Sequence, residues 1–318
     1  MHVLLLFLIL SFNLFTSWGD DGNLPKVFLL GPMKSGSSSL WQFMIKHPQI
    51  CPGVRKEINY IQDDNLIKGG RAQYKMLFRD GRCNHKPNTM YVDASPQFHL
   101  MDKVLPRFQT IFTENELKSL KFIITLREPV AQMYSYYKFF TEISLANGMP
   151  FKDIQTCDER LKVRQTYPFY DGGYAKQLTL FLQYFRRDQI LILSDEELFR
   201  DHHKAMHSIQ NFLGLKWNYW WYRHPFPHDD HWGHPRFRGK VTCCKDFVPQ
   251  LGCQFRDATA ARFKGYNENL MKLVNMTTKS KFEPAFHGFG DLAHKVACVN
   301  NPRDAYNKKI GNARNTKC

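Results

Sequence analysis

Short apolar runs alternate with segments of helical periodicity along most of this chain. Residues 26–31 (KVFLLG) form a β-prone run that ends at glycine. In residues 37–46, Leu40, Phe43 and Met44 recur at helical spacing, and a His-Pro pair then ends the pattern. The pattern predicts a strand, a short loop and a helix, in that order.

Two later segments repeat the arrangement. Residues 121–126 (KFIITL) predict a second strand, and the helix after it carries Tyr134 and Tyr137 on one face. Residues 189–193 (QILIL) predict a third strand, preceded by a helix over residues 174–185. Strands that alternate with helices form mostly parallel sheets. We therefore predict an α/β fold whose central, mostly parallel sheet is flanked by helices on both faces.

The length and the apolar content favour one large domain. A chain of 318 residues with 43% hydrophobic residues can bury a full-sized core. Residues 217–255 are rich in Trp, His, Pro, Gly and Cys with little periodicity, which is typical of a long loop region held by disulfides. We predict a domain over residues 20–275 that includes this region, and a C-terminal extension of unknown role over residues 276–318.

The N-terminal residues 1–19 have the pattern of a secretory signal peptide. An apolar run over residues 3–10 is followed by the small residues Ser17 and Gly19. The run is shorter than the roughly 20 residues that a membrane-spanning helix needs. We predict cleavage after Gly19, with a short uncleaved membrane anchor as the alternative.

Other features agree with a secretory route. All eight cysteines lie after the signal segment, and an even number in an oxidising compartment predicts disulfides. Asn275 begins an Asn-Met-Thr acceptor sequence for N-glycosylation. The formal net charge of +15 favours a polyanionic partner, which for a secretory chain is a sulfated or uronic acid-containing glycan rather than nucleic acid. Solubility alone is the alternative explanation of the charge.

The loop between the first predicted strand and helix has the composition of a phosphate-binding loop. Residues 31–39 read GPMKSGSSS, and the free N–H groups and positive end of a helix bind anions at this position. In a Walker A loop the lysine follows the last glycine, whereas Lys34 precedes Gly36, so an ATP-binding site fits poorly. The predicted phosphate ligands are Lys34, Ser35, Gly36, Ser37, Ser38 and Ser39.

This order of lysine, glycine and hydroxyl residues resembles the sulfotransferase family. The resemblance extends to His47-Pro48 after the first helix, to residues 55–60 (RKEINY), and to Arg127 and Ser135 around the second strand and its helix. It is greatest for the Golgi carbohydrate branch, which includes the galactosamine 6-O and heparan sulfate enzymes. The resemblance implies a P-loop-like sulfotransferase fold, the donor 3′-phosphoadenosine 5′-phosphosulfate (PAPS) with its product PAP, a glycan acceptor, and a place in the Golgi lumen or outside the cell.

The resemblance also implies roles for the donor-side residues. Lys34 neutralises charge on the departing sulfuryl group, the loop amides hold the 5′-phosphate, and Arg127 and Ser135 grip the 3′-phosphate. An arginine at the carboxyl end of a strand can bind a phosphate through two parallel N–H groups, and a serine two helical turns later can add a hydroxyl donor. Taken singly, Arg127 is better explained as a surface ion pair and Ser135 as an ordinary helix serine; together with the upstream loop, the phosphate-binding interpretation is favoured. This chemistry requires no metal.

Glu57 matches the acidic residue that serves the family as catalytic base. An alcohol is too weak an acid to ionise at neutral pH, so a carboxylate within hydrogen-bond reach is expected to take its proton. The alternative is a solvated acid paired with Lys56 or Arg55.

The acceptor side is more diffuse. Residues 91–96 (YVDASP) resemble the acidic-x-Ser/Thr-Pro segment that lines the family's acceptor cleft, but Ala94 stands where many heparan sulfate enzymes have lysine. The alanine is closer to the branch that acts on galactosamine-containing glycans. Cations recur every three or four residues from Lys68 to Lys86, which favours acceptor binding and simple solvation equally. The predicted acceptor contacts are Lys56, Arg71, Lys75 and Asp93.

A basic loop pinned by cysteines is expected to complete the donor site. The resemblance implies that Arg238 and Lys240 lie over the 3′-phosphate, with Cys253 bonded to either Cys243 or Cys244. Residues 228–234 (HDDHWGH) have a spacing that suits zinc only on a helix, and the neighbouring prolines make a helix unfavourable. We therefore predict no metal.

Other function classes stay open as alternatives. One is a catalytically inactive, secreted glycan-binding protein on the same fold, although the intact Lys34, Glu57, Arg127 and Ser135 argue against it. A small-molecule sulfotransferase of the cytosolic type is opposed by the signal segment and the cysteines. A small-molecule kinase is opposed by the lack of a Walker-type lysine.

Overall fold

The central sheet has five strands in the part of the chain that the structure describes. They are β1 Val27–Leu30, β2 Ile50–Pro52, β3 Met90–Asp93, β4 Lys121–Leu126 and β5 Ile190–Ser194. Their order across the sheet is β2-β3-β1-β4-β5, and every neighbouring pair is parallel. The computed structural model describes residues 23–78, 89–96, 98–163, 173–218, 223–224, 248–276 and 288–311.

Helices connect and cover the strands. In the described ranges they are α1 Ser37–Met44, α2 Gly70–Met76, α3 Met101–Ile111, α4 Glu114–Ser119, α5 Pro129–Ala146, α6 Cys157–Val163, α7 Gly173–Leu182, α8 Asp195–Arg200, α9 His202–Leu213, α10 Cys253–Met276 and α11 Pro302–Gly311.

Alternating side chains of the strands build one core on each face of the sheet. On one face, Phe28 of β1 packs against Phe108 of α3, with ring centroids 4.9 Å apart, and against Phe122 of β4. On the other face, Leu29 lies in a cluster with Leu40 of α1. Successive residues of a strand point to opposite faces, so the run VFLL serves both cores. The predicted α/β fold with helices on both faces is confirmed.

The predicted elements lie close to the observed ones. The run 121–126 is β4 itself, and the run 26–31 contains β1. The helices are shorter than predicted, since α1 ends at Met44 and α7 at Leu182. Strands β2 (ICP) and β3 (MYVD) are not apparent from the sequence, because three or four residues that end in proline or aspartate carry little strand signal.

A second, two-stranded sheet ties the C-terminal residues to the domain. β6 Leu251–Gly252 pairs in parallel with β7 Cys298–Val299, with Leu251 opposite Cys298. This register brings Cys298 to Cys253, and the two form a disulfide with Cα atoms 4.9 Å apart. The predicted pairing of Cys253 with Cys243 or Cys244 is therefore wrong. The latter two cysteines lie outside the described residues.

The segment after α10 packs against the body of the domain. Tyr306 of α11 is buried in a cluster with Leu145 and Ile154. Arg303 forms an ion pair with Glu159 and donates a hydrogen bond of 3.0 Å to the Ile154 carbonyl. Residues 288–311 therefore contribute to the same packed structure as the strands.

Parts of the sequence-based predictions fall outside the described residues. They include the signal segment over residues 1–19, the His-rich residues 228–234, and Arg238 and Lys240. Asn275 lies in α10, but the structure does not describe its side chain. Within the described ranges, every helix is too short or too polar to span a bilayer.

Candidate active site

The loop between β1 and α1 lies at the carboxyl edge of the sheet and is shaped by two glycines. A Cβ on Gly31 would lie 2.4 Å from the Thr125 carbonyl oxygen, so only glycine lets the loop pass β4 this closely. Gly36 caps α1 with a left-handed φ of 84°, and no side chain accepts a hydrogen bond from the first turn there. The first N–H groups of α1 are therefore available to bind an anion.

Hydrogen bonds from β4 and α5 hold the loop in place. Ser35 is fully buried, and its hydroxyl donates to the Pro32 carbonyl at 2.7 Å and lies 2.8 Å from Thr125 Oγ1. Gln132 of α5 donates to the Met33 carbonyl at 2.7 Å. Ser35 lies in this loop, but its side chain bonds within the loop and to β4 rather than lining the cavity, and its contact with a phosphate stays a prediction.

A cavity of about 300 Å³ opens in front of the loop. Most of the predicted donor residues line it, together with Glu57 from the segment after β2. Apolar side chains of α5 and Phe199 of α8 form the remaining wall. The lining residues are Met33, Lys34, Gly36, Ser37, Ser38, Ser39, Glu57, Pro96, Arg127, Phe139, Phe140, Ile143 and Phe199.

Lys34 and Arg127 place two cations at this cavity. Lys34 has a left-handed φ of 69°, and its Nζ lies 4.7 Å from the centroid of the Phe139 ring. Arg127 follows β4 directly and donates through Nη1 to the Lys34 carbonyl at 3.1 Å. Arg127 thus links the end of β4 to the loop after β1, and Arg127 and Lys34 form one positively charged wall of the cavity.

Glu57 presents a carboxylate to the same cavity from a constrained segment. Its φ is 60°, and its N–H donates to the Ala94 carbonyl at 3.0 Å. Two residues later, Asn59 also has a left-handed φ of 55°, and its N–H donates to Ser95 Oγ at 2.9 Å. The Glu57 side chain is 44% exposed and pairs with Lys56. Glu57 is therefore both ion-paired and accessible from the cavity.

Comparison with known proteins identifies the family. Residues 24–231 match the model of the sulfotransferase domain. This chain belongs to the sulfotransferase family. The matched region includes β1 to β5, the loop before α1, Glu57 and Arg127.

Individual relatives of this sulfotransferase chain are distant. Bifunctional heparan sulfate N-deacetylase/N-sulfotransferase 4 of Mus musculus is 24% identical over 278 residues, which is 80% of this chain. The corresponding protein 3 of Homo sapiens is 24% identical over 270 residues, or 79% of this chain. The chain spans only 30% of the length of either relative.

A solved structure shares the fold. The sulfotransferase from Alicyclobacillus acidocaldarius superposes with a TM-score of 0.53 at 18% sequence identity. The match covers 82% of this chain and 99% of the bacterial chain. The sulfotransferase fold expected from the resemblance is therefore confirmed.

Ser135 of this sulfotransferase chain lies on α5 among buried residues and is not part of the cavity lining. It is one and a half to two helical turns from the N-terminus of α5, on the element that also supplies Phe139. Its predicted contact with a 3′-phosphate stays a prediction.

Asp93 does not face the acceptor side, contrary to the prediction. It is 2% exposed, and it accepts hydrogen bonds from Tyr74 Oη and, at 2.6 Å, from Ser95 Oγ. Burial raises the pKa of Asp93, and the two hydrogen bonds oppose that shift. Since Ser95 in turn accepts the N–H of Asn59, Asp93 supports the segment that carries Glu57.

Arg71 and Lys75 lie away from the active site, and the prediction that places them near the cleft is wrong. Both line a separate cavity with Lys26 and Leu120, which directly precede β1 and β4 and so mark the amino-terminal edge of the sheet. Arg71 forms a bidentate ion pair with Glu116, with both N–O distances 2.7 Å.

The aromatic wall of the cavity is not among the features predicted from the sequence. Phe139, Phe140 and Ile143 lie near the C-terminal half of α5, one helical turn beyond Ser135. Their spacing on one helix was a detectable signal, but apolar residues on a helix more often belong to a core. Among the described residues, no group of three or more His, Cys, Asp or Glu is arranged to hold a metal ion.

Proposed function

We propose that this protein transfers a sulfuryl group from PAPS to a carbohydrate acceptor, with Glu57 as the catalytic base. The proposal rests on one observation: the start of α1, Lys34, Arg127 and Glu57 line the same cavity. It combines an anion-binding helix end, two cations and an accessible carboxylate. These are the groups that an anionic donor and a proton-losing acceptor need.

The donor side of the cavity fits a phosphate-containing nucleotide. The uncapped N–H groups at the start of α1 and the hydroxyls of Ser37, Ser38 and Ser39 would hold the 5′-phosphate. Lys34 would neutralise negative charge at the transferred group. Arg127, with Ser135, is proposed for the 3′-phosphate. The donor supplies the sulfuryl group that is transferred.

The acceptor side requires a group that can take a proton. Glu57 is proposed for this role, because its carboxylate is accessible from the cavity and its segment after β2 is fixed by hydrogen bonds to the residues after β3. Its ion pair with Lys56 orients the carboxylate. We propose a glycosaminoglycan-like chain as acceptor, consistent with the net charge of +15.

A second candidate for the accepting group is an amine. The two relatives described above are named for heparan sulfate N-sulfotransferase activity, which modifies nitrogen rather than oxygen. A hydroxyl and an amine both lose a proton during the transfer, so the same base serves either acceptor.

We also propose a lumenal location in the secretory pathway. The disulfide between Cys253 and Cys298 supports it, because such bonds persist in oxidising compartments. The signal pattern over residues 1–19 points the same way.

The test is transfer of radiolabelled sulfate from PAPS onto desulfated chondroitin, dermatan and heparan chains, and onto N-desulfated heparan with free amines. Wild type should label one class. Lys34→Ala and Glu57→Gln should each lower the rate by roughly a hundredfold or more, since each removes a group used in the transition state.

Matched controls separate these effects from general damage. Glu114→Gln and Lys118→Ala change an exposed ion pair on α4, far from the cavity, and should leave transfer at the wild-type rate. Glu57→Gln should still bind PAP. No label on any chain, together with no binding of PAP, would overturn the proposed function; PAP binding without label would favour the inactive glycan-binding protein.

A further inference from the structure

Arg127 is held on two sides by different elements. Its Nη1 donates to the Lys34 carbonyl at 3.1 Å, and its Nε lies 3.1 Å from Asp195 Oδ2. Asp195 is the first residue of α8, directly after β5. The register of β4 with β5 pairs Leu126 with Ser194, so the residues that follow, Arg127 and Asp195, leave the sheet side by side.

This arrangement fixes the plane of the guanidinium group. A free arginine side chain has several rotatable bonds, and its donors lie in one rigid fork. Here Nη1 donates to the Lys34 carbonyl, and the Nε side of the group forms an ion pair with Asp195. The remaining edge of the fork belongs to the cavity wall, since Arg127 lines the cavity and its side chain is 31% exposed. Asp195 lies behind it with a side chain 14% exposed.

We propose that Asp195 is a positioning residue for the donor nucleotide, which holds Arg127 through Nε so that the outer edge of the guanidinium is ready for a phosphate. The inference rests on the proposed function, because it requires Arg127 to bind a phosphate of the donor. Asp195 itself acts only through Arg127.

The negative charge of Asp195 raises an objection, because a carboxylate close to a bound phosphate repels it. Burial answers the objection by raising the pKa of Asp195 to about 6, although the positive charge of Arg127 opposes that shift. The other ionisable groups that face Asp195 are Glu128 after β4, Glu196 on its own helix and Tyr174 of α7. Both glutamates raise the Asp195 pKa further.

A carboxyl group with this pKa can lose its charge at little cost when a phosphate arrives. At one pH unit above this pKa, the free energy needed to protonate Asp195 lowers the affinity for the donor by no more than about tenfold. The protonated group still has a carbonyl oxygen that can act as an acceptor for Arg127 Nε. Asp195 can therefore keep its positioning role while its charge disappears.

The test is the affinity for PAP, measured by calorimetry on the full chain at pH 7, and it requires no acceptor. Asp195→Ala removes the carboxylate that pairs with Nε and should weaken PAP binding by roughly tenfold, because Arg127 is no longer held in place. Asp195→Asn keeps an oxygen for Nε and should bind within about threefold of wild type. The matched control is Glu196→Ala, which removes the same charge from the same helix and should not weaken binding.

Two further measurements separate positioning from a merely structural role. In the Arg127→Ala background, Asp195→Ala should cause no additional loss of affinity, because the two residues act as a unit. Wild type should take up more protons on binding PAP at pH 7 than Asp195→Asn does, as measured in buffers of different ionisation enthalpy. This comparison holds even if Asp195→Ala fails to fold.

The outcomes distinguish this inference from the proposed function. Tighter PAP binding by both Asp195 variants would mean that the carboxylate only competes with the phosphate, and the inference would be wrong. Equal proton uptake by wild type and Asp195→Asn would also overturn it. If wild type does not bind PAP at all, the proposed function itself fails.

Discussion

Backbone conformation at single residues marks the active site. Among the described residues, the non-glycine residues with positive φ are Lys34, Glu57 and Asn59, at 69°, 60° and 55°. Each left-handed residue costs about 1–2 kcal/mol, which the surrounding contacts must offset. Lys34 and Glu57 line the cavity, and Asn59 anchors the segment that carries Glu57. The strain is thus stored where the proposed chemistry takes place.

Ser95 offers a test of this anchoring at the residue scale. Its hydroxyl accepts the N–H of Asn59 and donates to Asp93. Ser95→Ala removes both hydrogen bonds and should lower kcat by about tenfold, because the proposed base loses its fixed position. PAP affinity should not change. Ser95→Thr keeps the hydroxyl and should restore most of the rate; an equal loss with threonine would contradict the anchoring role.

Arg71 offers the opposite test. Its pair with Glu116 lies at the amino-terminal edge of the sheet, so Arg71→Ala should leave transfer unchanged. The two side chains are 37% and 36% exposed, so solvent screening limits the loss of stability to about 1 kcal/mol or less. Urea unfolding of the variant beside wild type measures this loss. A large fall in transfer activity would instead indicate that Arg71 contacts the acceptor.

The same pair predicts a pH dependence. The hydrogen bonds from Arg71 lower the pKa of Glu116 to about 2, from an ordinary value of 4.5. A lowered pKa contributes stability that is present above pH 4.5 and is lost as the pH falls towards 2. The difference in urea midpoint between wild type and Arg71→Ala should therefore shrink between pH 5 and pH 2. A constant difference would show that packing, not charge, is responsible.

At the scale of the elements, the loop after β1 passes β4 in close contact, and this contact fixes the conformation of the loop. Gly31 has a φ of 140°, and an added Cβ would meet the backbone oxygen of Thr125. The neighbouring strand cannot move aside without breaking the sheet. The glycine is required by space as well as by conformation.

Gly31→Ala should therefore lower the free energy of unfolding by at least about 2 kcal/mol and abolish PAP binding in whatever fraction folds. Gly214→Ala is the control. Gly214 caps α9 with a φ of 67°, and nothing lies within 4 Å of an added Cβ, so strain alone should cost about 1 kcal/mol. Chemical unfolding measures both. Equal losses would mean that the contact with Thr125 is unimportant.

The strongly periodic elements were predictable from the sequence, and the short ones were not. β4 has six residues, of which five are apolar or β-branched, and its bounds were predicted correctly, whereas the three residues of β2 form a strand by pairing with β3. The loop before α1, Arg127 and Glu57 could be predicted because their order along the chain matches a family. The phenylalanines of α5 line the cavity, and Gln132 and Asp195 support its lining, through tertiary packing that local sequence does not encode.

At the scale of the whole molecule, the C-terminal residues are part of the folded unit. β7, the disulfide from Cys253 to Cys298 and the burial of Tyr306 join residues 288–311 to the domain. The sequence indicated only an extension of unknown role, because a pairing across 45 residues leaves no local pattern.

Cys298→Ala should lower stability by about 2–4 kcal/mol through the loss of the crosslink. Cys253→Ala should cause a loss of the same size. The double variant should be no less stable than either single one, because both changes remove the same bond. Thermal unfolding of the three variants measures this. Additive losses in the double variant would show that the two cysteines are not bonded to each other.

The hydrogen bond from Arg127 to the Lys34 carbonyl joins residues 93 positions apart. A contact over such a distance forms late in folding, because a long loop must close before it yields any stabilisation. The nucleotide site therefore assembles only when the central strands have found their parallel order. Recovery of nucleotide binding during refolding would then lag behind the recovery of helical signal. Nucleotide binding would therefore show that the parallel sheet is fully assembled.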